Sequence, residues 1–122
     1  MRIRGIHHAQ LAMPEGGEDR AREFYHGLLG LPEVRKPADL LARGGVWFET
    51  QDTRVHLGVD PEFRAAVKAH VALEVSGLAQ LLVQLRDAGV RVLDDDRLEG
   101  WTRAYVFDPF GNRIELMEQE AG

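Results

Sequence analysis

Apolar and polar residues alternate with a period of two in several stretches of this chain and recur every three to four residues in two others. In Ile3–Met13, Ala9, Leu11 and Met13 fall on one face and Ile6, His8, Gln10 and Ala12 on the other, which predicts a strand. Pro14-Glu15-Gly16-Gly17 breaks it. Residues 18–29 then place Ala21, Phe24, Tyr25, Leu28 and Leu29 at helical spacing, and Gly30 supplies the expected C-terminal stop. Pro32 and Pro37 interrupt residues 31–45, where 38–43 fits either a short turn or a strand. Residues 46–50 and 54–59 predict two strands joined at Gln51-Asp52-Thr53, and residues 60–68 form a polar connector carrying Pro61.

The pattern then restarts. Residues 70–75 predict a strand with Val71, Leu73 and Val75 on its apolar face and His70, Ala72 and Glu74 opposite. Residues 77–88 carry Leu78, Leu81, Leu82 and Leu85 at helical spacing before Gly89. A short strand at 91–94 and a polar loop at 95–101 follow. Arg103–Met117 reads as a β-hairpin around Asp108-Pro109-Phe110-Gly111-Asn112, with Ile114 and Leu116 on one face of its second strand and Arg113, Glu115 and Met117 on the other.

This is an internal repeat at about half the chain length. His8-Ala-Gln-Leu-Ala-Met echoes His70-Val-Ala-Leu-Glu-Val, and Val55-His-Leu echoes Ile114-Glu-Leu. The expected organisation is one α+β domain of two β-α-β-β-β modules, residues 1–60 and 69–122, joined by a linker at 61–68. In this alignment His8 matches His70 and His56 matches Glu115. The aliphatic positions of the four strands must cover the helices, so alternation sends His8, His56, His70 and Glu115 to the opposite, concave face. Three imidazoles and a carboxylate at repeat-related positions suit a divalent transition metal, whether Zn, Ni, Co, Mn or Fe. His7 would face the other way, and His26 falls on the exposed side of a helix; neither is assigned chemistry.

Composition narrows the partners. A formal net charge of −5, with no basic block, argues against nucleic acid. No apolar run approaches a membrane span and no signal-peptide core precedes the first strand, so the expected compartment is the cytoplasm. With no cysteine, thiol nucleophiles and thiolate ligands are excluded, and the five histidines become the polar inventory of interest.

Three segments, Ile6–Ala12 (IHHAQLA), Phe24–Leu31 (FYHGLLGL) and Phe107–Glu115 (FDPFGNRIE), resemble the vicinal oxygen chelate superfamily, which includes glyoxalase I, fosfomycin-resistance thiol transferases, methylmalonyl-CoA epimerase, extradiol dioxygenases and bleomycin-resistance proteins. The resemblance covers almost the whole chain. It implies metal ligands at His8, His70 and Glu115, with a fourth, variable ligand at His56. It also implies that the two modules form a cup-shaped mixed sheet with helices on its convex face, often completed as a homodimer. The chain departs from the relatives in places. Glyoxalase I usually has a carboxylate where His56 stands. Asp95 and Glu99 fall where fosfomycin enzymes hold a phosphonate with Lys and Ser, which argues against that substrate. Extradiol dioxygenases usually carry a second pair of modules. Bleomycin binders lack the ligand set.

The expected activity is that of a metal-dependent lyase or isomerase of the glyoxalase type, acting on a small substrate chelated through vicinal oxygens. A divalent ion with three neutral imidazoles and one carboxylate leaves the site about +1, suited to developing oxyanion charge. Glu115 is the expected base and Tyr105 the expected hydroxyl over the cup. Arg103, Trp101, Phe107 and Gln10 are the expected substrate contacts. The alternatives are a metal-independent module that sequesters a small molecule, and an extradiol-type dioxygenase.

Overall fold

A computed structural model describes residues 1–94 and 98–121. The chain divides into two compact units, Met1–Arg64 and Ala65–Gly122. The first contains β1 (Ala9–Met13), a helical turn α1 (Glu18–Ala21) running on as a π-helical segment (Arg22–Leu28), β2 (Glu33–Val34), a 3-10 segment (Ala38–Arg43), β3 (Val46–Glu49) and β4 (Arg54–Val59). The second contains β5 (Val71–Glu74), α2 (Leu78–Asp87), β6 (Val92–Asp94), β7 (Trp101–Phe107) and β8 (Arg113–Gln119). Each unit is therefore β-α-β-β-β, the expected α+β architecture. Their sheets have the same order, β1-β4-β3-β2 and β5-β8-β7-β6. In both, the first strand pairs in parallel with the last, while the remaining pairs are antiparallel.

The helix of each unit covers one face of its sheet. In the first, Phe24 and Tyr25 are both buried although adjacent, and Tyr25 stacks on Phe48 of β3 with ring centroids 5.5 Å apart. The wide π-helical turn, closed by Leu29 N–H donating to the Phe24 carbonyl at 2.9 Å, brings both aromatics to the sheet. In the second, α2 buries Leu78, Leu82 and Leu85, and β7 and β8 bury Ala104, Val106, Ile114 and Leu116. Burying each such large aliphatic contributes about 1.5–3 kcal/mol.

Several boundaries differ from those expected. β1 begins at Ala9 rather than Ile3, because its only ladder partner among the described residues, β4, pairs from Val55↔Ala9 onward. Residues 1–8 are exposed and form no regular structure. The uncertain 38–43 segment is a 3-10 turn that ends at Gly44. Trp101 is the first residue of β7, not part of a preceding loop, and its N–H donates to the Leu98 carbonyl at 2.8 Å. Gly45 is required where β3 approaches β4: with φ +86°, a side-chain carbon there would lie 2.3 Å from the Leu57 carbonyl oxygen.

Candidate functional site

The sheet register aligns corresponding rows in the two units. Gln10, His56 and Trp47 are neighbours across β1, β4 and β3. Ala72, Glu115 and Tyr105 are neighbours across β5, β8 and β7. His8 and His70 each lie one residue before the first strand of their unit. Internal duplication thus places His8 like His70, His56 like Glu115, and Trp47 like Tyr105.

In the second unit the expected residues gather. His70 Nε2 lies 2.9 Å from Glu115 Oε1, and Arg103 Nη1 donates to Glu115 Oε2 at 3.3 Å. Glu115 is only 6% exposed, so it is not a solvated strand carboxylate. The Tyr105 ring meets His70 edge-on at 5.5 Å, and the Arg113 guanidinium covers Tyr105 at 3.6 Å from the ring centroid. Phe107 lies at the end of β7, where Arg91 covers its ring at 4.5 Å. Trp101 is half-buried at the opposite end of β7, and no contact joins it to His70 or Glu115 among the described residues.

His70 Nδ1 lies 2.8 Å from the Lys68 carbonyl oxygen. A carbonyl only accepts, so Nδ1 must carry a proton. In a neutral ring Nε2 then offers a lone pair. That lone pair faces a carboxylate oxygen at hydrogen-bond distance, an arrangement that repels unless a proton or a metal ion lies between. The carbonyl-oriented imidazole and its facing carboxylate are a donor pair that fits a divalent ion.

The first unit offers a ring stack. His56 is 3% exposed and lies between Trp47, centroids 4.0 Å apart with planes at 4°, and His8, 4.3 Å apart at 21°. Its Nε2 is 2.7 Å from Glu49 Oε2. Burial lowers the His56 pKa from the usual imidazole value, against the opposing pull of Glu49. His7 does not face away as alternation predicts, because residues 3–8 are not strand. Its Nδ1 lies 2.9 Å from His8 Nδ1, and Arg54 holds its carbonyl at 3.2 Å. His26 is exposed and donates from Nδ1 to the Leu31 carbonyl at 3.0 Å. Gln10 is exposed, with its amide lying over Gly58. Glu99 is exposed, and Asp95 lies outside the described residues. Among the described residues, no group of three or more His, Asp or Glu that could hold a metal is gathered; the second unit holds the pair His70–Glu115 and the first the stacked pair His8–His56.

Sequence reading missed Glu49, Trp47 and Arg113. The repeat contained a signal for Trp47, the counterpart of Tyr105. Glu49 and Arg113 depend on diagonal contacts that only the folded register creates.

The lowered His56 pKa has a measurable consequence. An unfolded chain binds the His56 proton below about pH 6.5, whereas the folded ring resists it. Stability is therefore expected to fall as pH drops through 6.5 towards the lower folded value, by at most about 1.4 kcal/mol per pH unit for this one proton. Urea midpoints of chelator-treated protein at several pH values should show the decline, and it should be shallower in His56→Gln.

A sequence signature of the Glyoxalase/Bleomycin resistance protein/Dioxygenase superfamily matches residues 5–116. The chain belongs to that superfamily. A protein assigned to the glyoxalase family from Bacillus anthracis is 42% identical, with a TM-score of 0.93 and 98% of each chain covered. A glyoxalase/dioxygenase from Nostoc punctiforme shares the fold at 23% identity and a TM-score of 0.78, covering 97% of this chain and 92% of that one. The fold also matches a mutant of the fosfomycin resistance protein FosX from Listeria monocytogenes, solved with Mn(II) and 1S,2S-dihydroxypropylphosphonic acid. That match is 14% identical, with a TM-score of 0.80, and covers 98% of this chain and 95% of that one. No curated protein matches the chain. Among the described residues, no helix is long and apolar enough to cross a membrane.

Proposed function

We propose that this protein is a divalent-metal-dependent lyase or isomerase of the glyoxalase type, acting on a small oxygenated substrate. The proposed ligands are His70 and Glu115, with His8 and, as the variable fourth, His56 at the repeat-related positions of the first unit. The observation that carries this reading is the approach of His70 Nε2 to Glu115 Oε1, 2.9 Å apart, in an imidazole whose Nδ1 is held by the Lys68 carbonyl at 2.8 Å. Superfamily membership and the Mn(II) bound by the FosX relative support the choice of a divalent ion. When bound, such an ion would supply Lewis acidity to the substrate.

The remaining work falls to the chain's own groups. Glu115 is the base that takes a proton from the substrate carbon, and Arg103, on Oε2, fixes the plane of its carboxylate. Tyr105, held between the His70 edge and the Arg113 guanidinium, presents its hydroxyl to a substrate oxygen. The Lys68 carbonyl keeps the His70 tautomer fixed.

The test is calorimetric titration of chelator-stripped protein with Mn, Fe(II), Co, Ni and Zn, followed by NMR of small α-hydroxy and α-oxo carbonyl compounds in deuterated water. One ion per chain and metal-dependent exchange at the carbon next to the carbonyl are expected. Failure of every ion to bind below millimolar concentration overturns the reading.

A further inference from the structure

The first unit contains a cavity of about 290 Å³ whose lining includes Gln10, Lys36, Arg43, Gly44, Trp47 and Gly58. Its two charged lining residues are both cations, in a chain whose formal net charge is −5. That local inversion of sign has a structural origin. The 3-10 segment Ala38–Arg43 ends at Gly44, whose φ of 73° reverses the chain. The Lys36 ammonium donates to the Gly44 carbonyl and closes the loop, so Lys36 and Arg43 share one cavity. Arg43 has no hydrogen-bond or ion-pair partner among the described residues. Glu18 is the acid beside Gly44: its Oε2 accepts from the Gly45 N–H at 2.8 Å, and it does not line the cavity.

The other walls are equally selective. Trp47 supplies an aromatic surface, and the same ring packs on His56. Gln10 brings an amide to the cavity because Gly58 leaves room for it. A side-chain carbon at Gly58 would lie 2.5 Å from Gln10 Nε2. Arg43 offers a planar fork of donors matched to an oxyanion, Lys36 adds a point charge, and Gln10 can donate a further hydrogen bond.

The geometry points to an anion subsite in this cavity, which holds a carboxylate or phosphate terminus of a small organic molecule whose body lies against Trp47. The subsite extends the proposed function by one specificity element: the substrate carries an anionic group. That extension rests on the lyase or isomerase reading, whereas the subsite itself requires no metal.

Binding is therefore measured with chelator present, using Trp47 fluorescence in a Trp101→Phe background and three probes: benzoate, phenyl phosphate and neutral benzyl alcohol. Benzoate or phenyl phosphate should bind in the millimolar range, and at least tenfold more tightly than benzyl alcohol. The stronger of the two identifies the anionic group. Added salt should weaken the anion, and Arg43→Glu, a change at an exposed position, should weaken it at least tenfold with an unchanged melting temperature. Lys36→Met should weaken it in the same direction, and Gly58→Ala should weaken it by displacing Gln10. His70→Ala should leave it unchanged, which separates this proposal from the metal reading. Equal binding of benzyl alcohol, no effect of Arg43→Glu, or no binding of either anion at about 20 mM overturns the subsite.

Discussion

Replacing Glu115 by Gln should lower the affinity for a divalent ion by more than about 100-fold, because loss of outer-shell partners alone costs 10–100-fold and this change removes a proposed ligand. The substitution keeps the volume of a side chain that is 6% exposed, so the sheet should survive it. It does not keep the charge. Arg103 loses the carboxylate oxygen it holds at 3.3 Å, and His70 Nε2 faces an amide instead of an anion. A stability loss of about 1–3 kcal/mol in the metal-free protein is the expected accompaniment. Calorimetry with the best-binding ion, beside urea unfolding of the stripped protein, separates the two effects. Glu74→Gln, on the exposed edge of β5, is the control for mere loss of negative charge. If Glu115→Gln binds the ion as tightly as the parent, Glu115 is not a ligand and its pairing with His70 is structural.

The second large effect is expected at a residue with no assigned chemistry. Asp108 is 5% exposed and organises the turn between β7 and β8. Its Oδ1 accepts from the N–H groups of Phe110 and Asn112, both at 2.9 Å, and its Oδ2 accepts from Asn112 Nδ2 at 3.0 Å. Asn112, 1% exposed, in turn accepts at Oδ1 from the Ala66 N–H at 3.0 Å. Asp108→Ala removes the acceptor of three donors, two of them in buried bonds, and should cost about 3 kcal/mol or more. For a domain of this size that is a fall of roughly 10 °C or more in melting temperature. Asp108→Asn keeps one acceptor oxygen and should cost about half as much.

The same change should reach the proposed metal ligand His70. Asn112 Oδ1 and the bond from Arg113 N–H to the Ala66 carbonyl hold the segment leading to Lys68, whose carbonyl fixes the His70 ring. Asp108→Ala should therefore weaken ion binding about 10–100-fold, as loss of an outer-shell support does. A melting temperature within two or three degrees of the parent, by calorimetric scan (a window of roughly 1 kcal/mol), would show that this turn does not depend on Asp108.

Most of the architecture could be read directly from the chain. Strand and helix periodicity is a local property, and duplicated motifs carry it twice, so the two β-α-β-β-β modules and the repeat correspondence of His8 to His70 and His56 to Glu115 were recoverable. Boundaries failed where a neighbour decides them. Alternation extends β1 back to Ile3, but a strand exists only where a ladder partner does, and β4 provides one from Ala9. His7, expected to face away, meets His8 for the same reason.

Side-chain partners needed the tertiary structure throughout. Residue types suggest that an imidazole and an acid can work together. Only the register of parallel β5 and β8, with a carbonyl from the preceding connector, fixes the proton on His70 Nδ1 and turns its Nε2 towards Glu115. The cationic cavity is a similar case: Lys36 and Arg43 look like ordinary surface charges until Gly44 reverses the chain and Gly58 makes room for Gln10. The sequence by itself determined which residues could carry chemistry, because residue type and period are written into it. Folding decided which of them share a hydrogen bond, a ring face or a cavity, because those depend on distances between segments far apart in the chain.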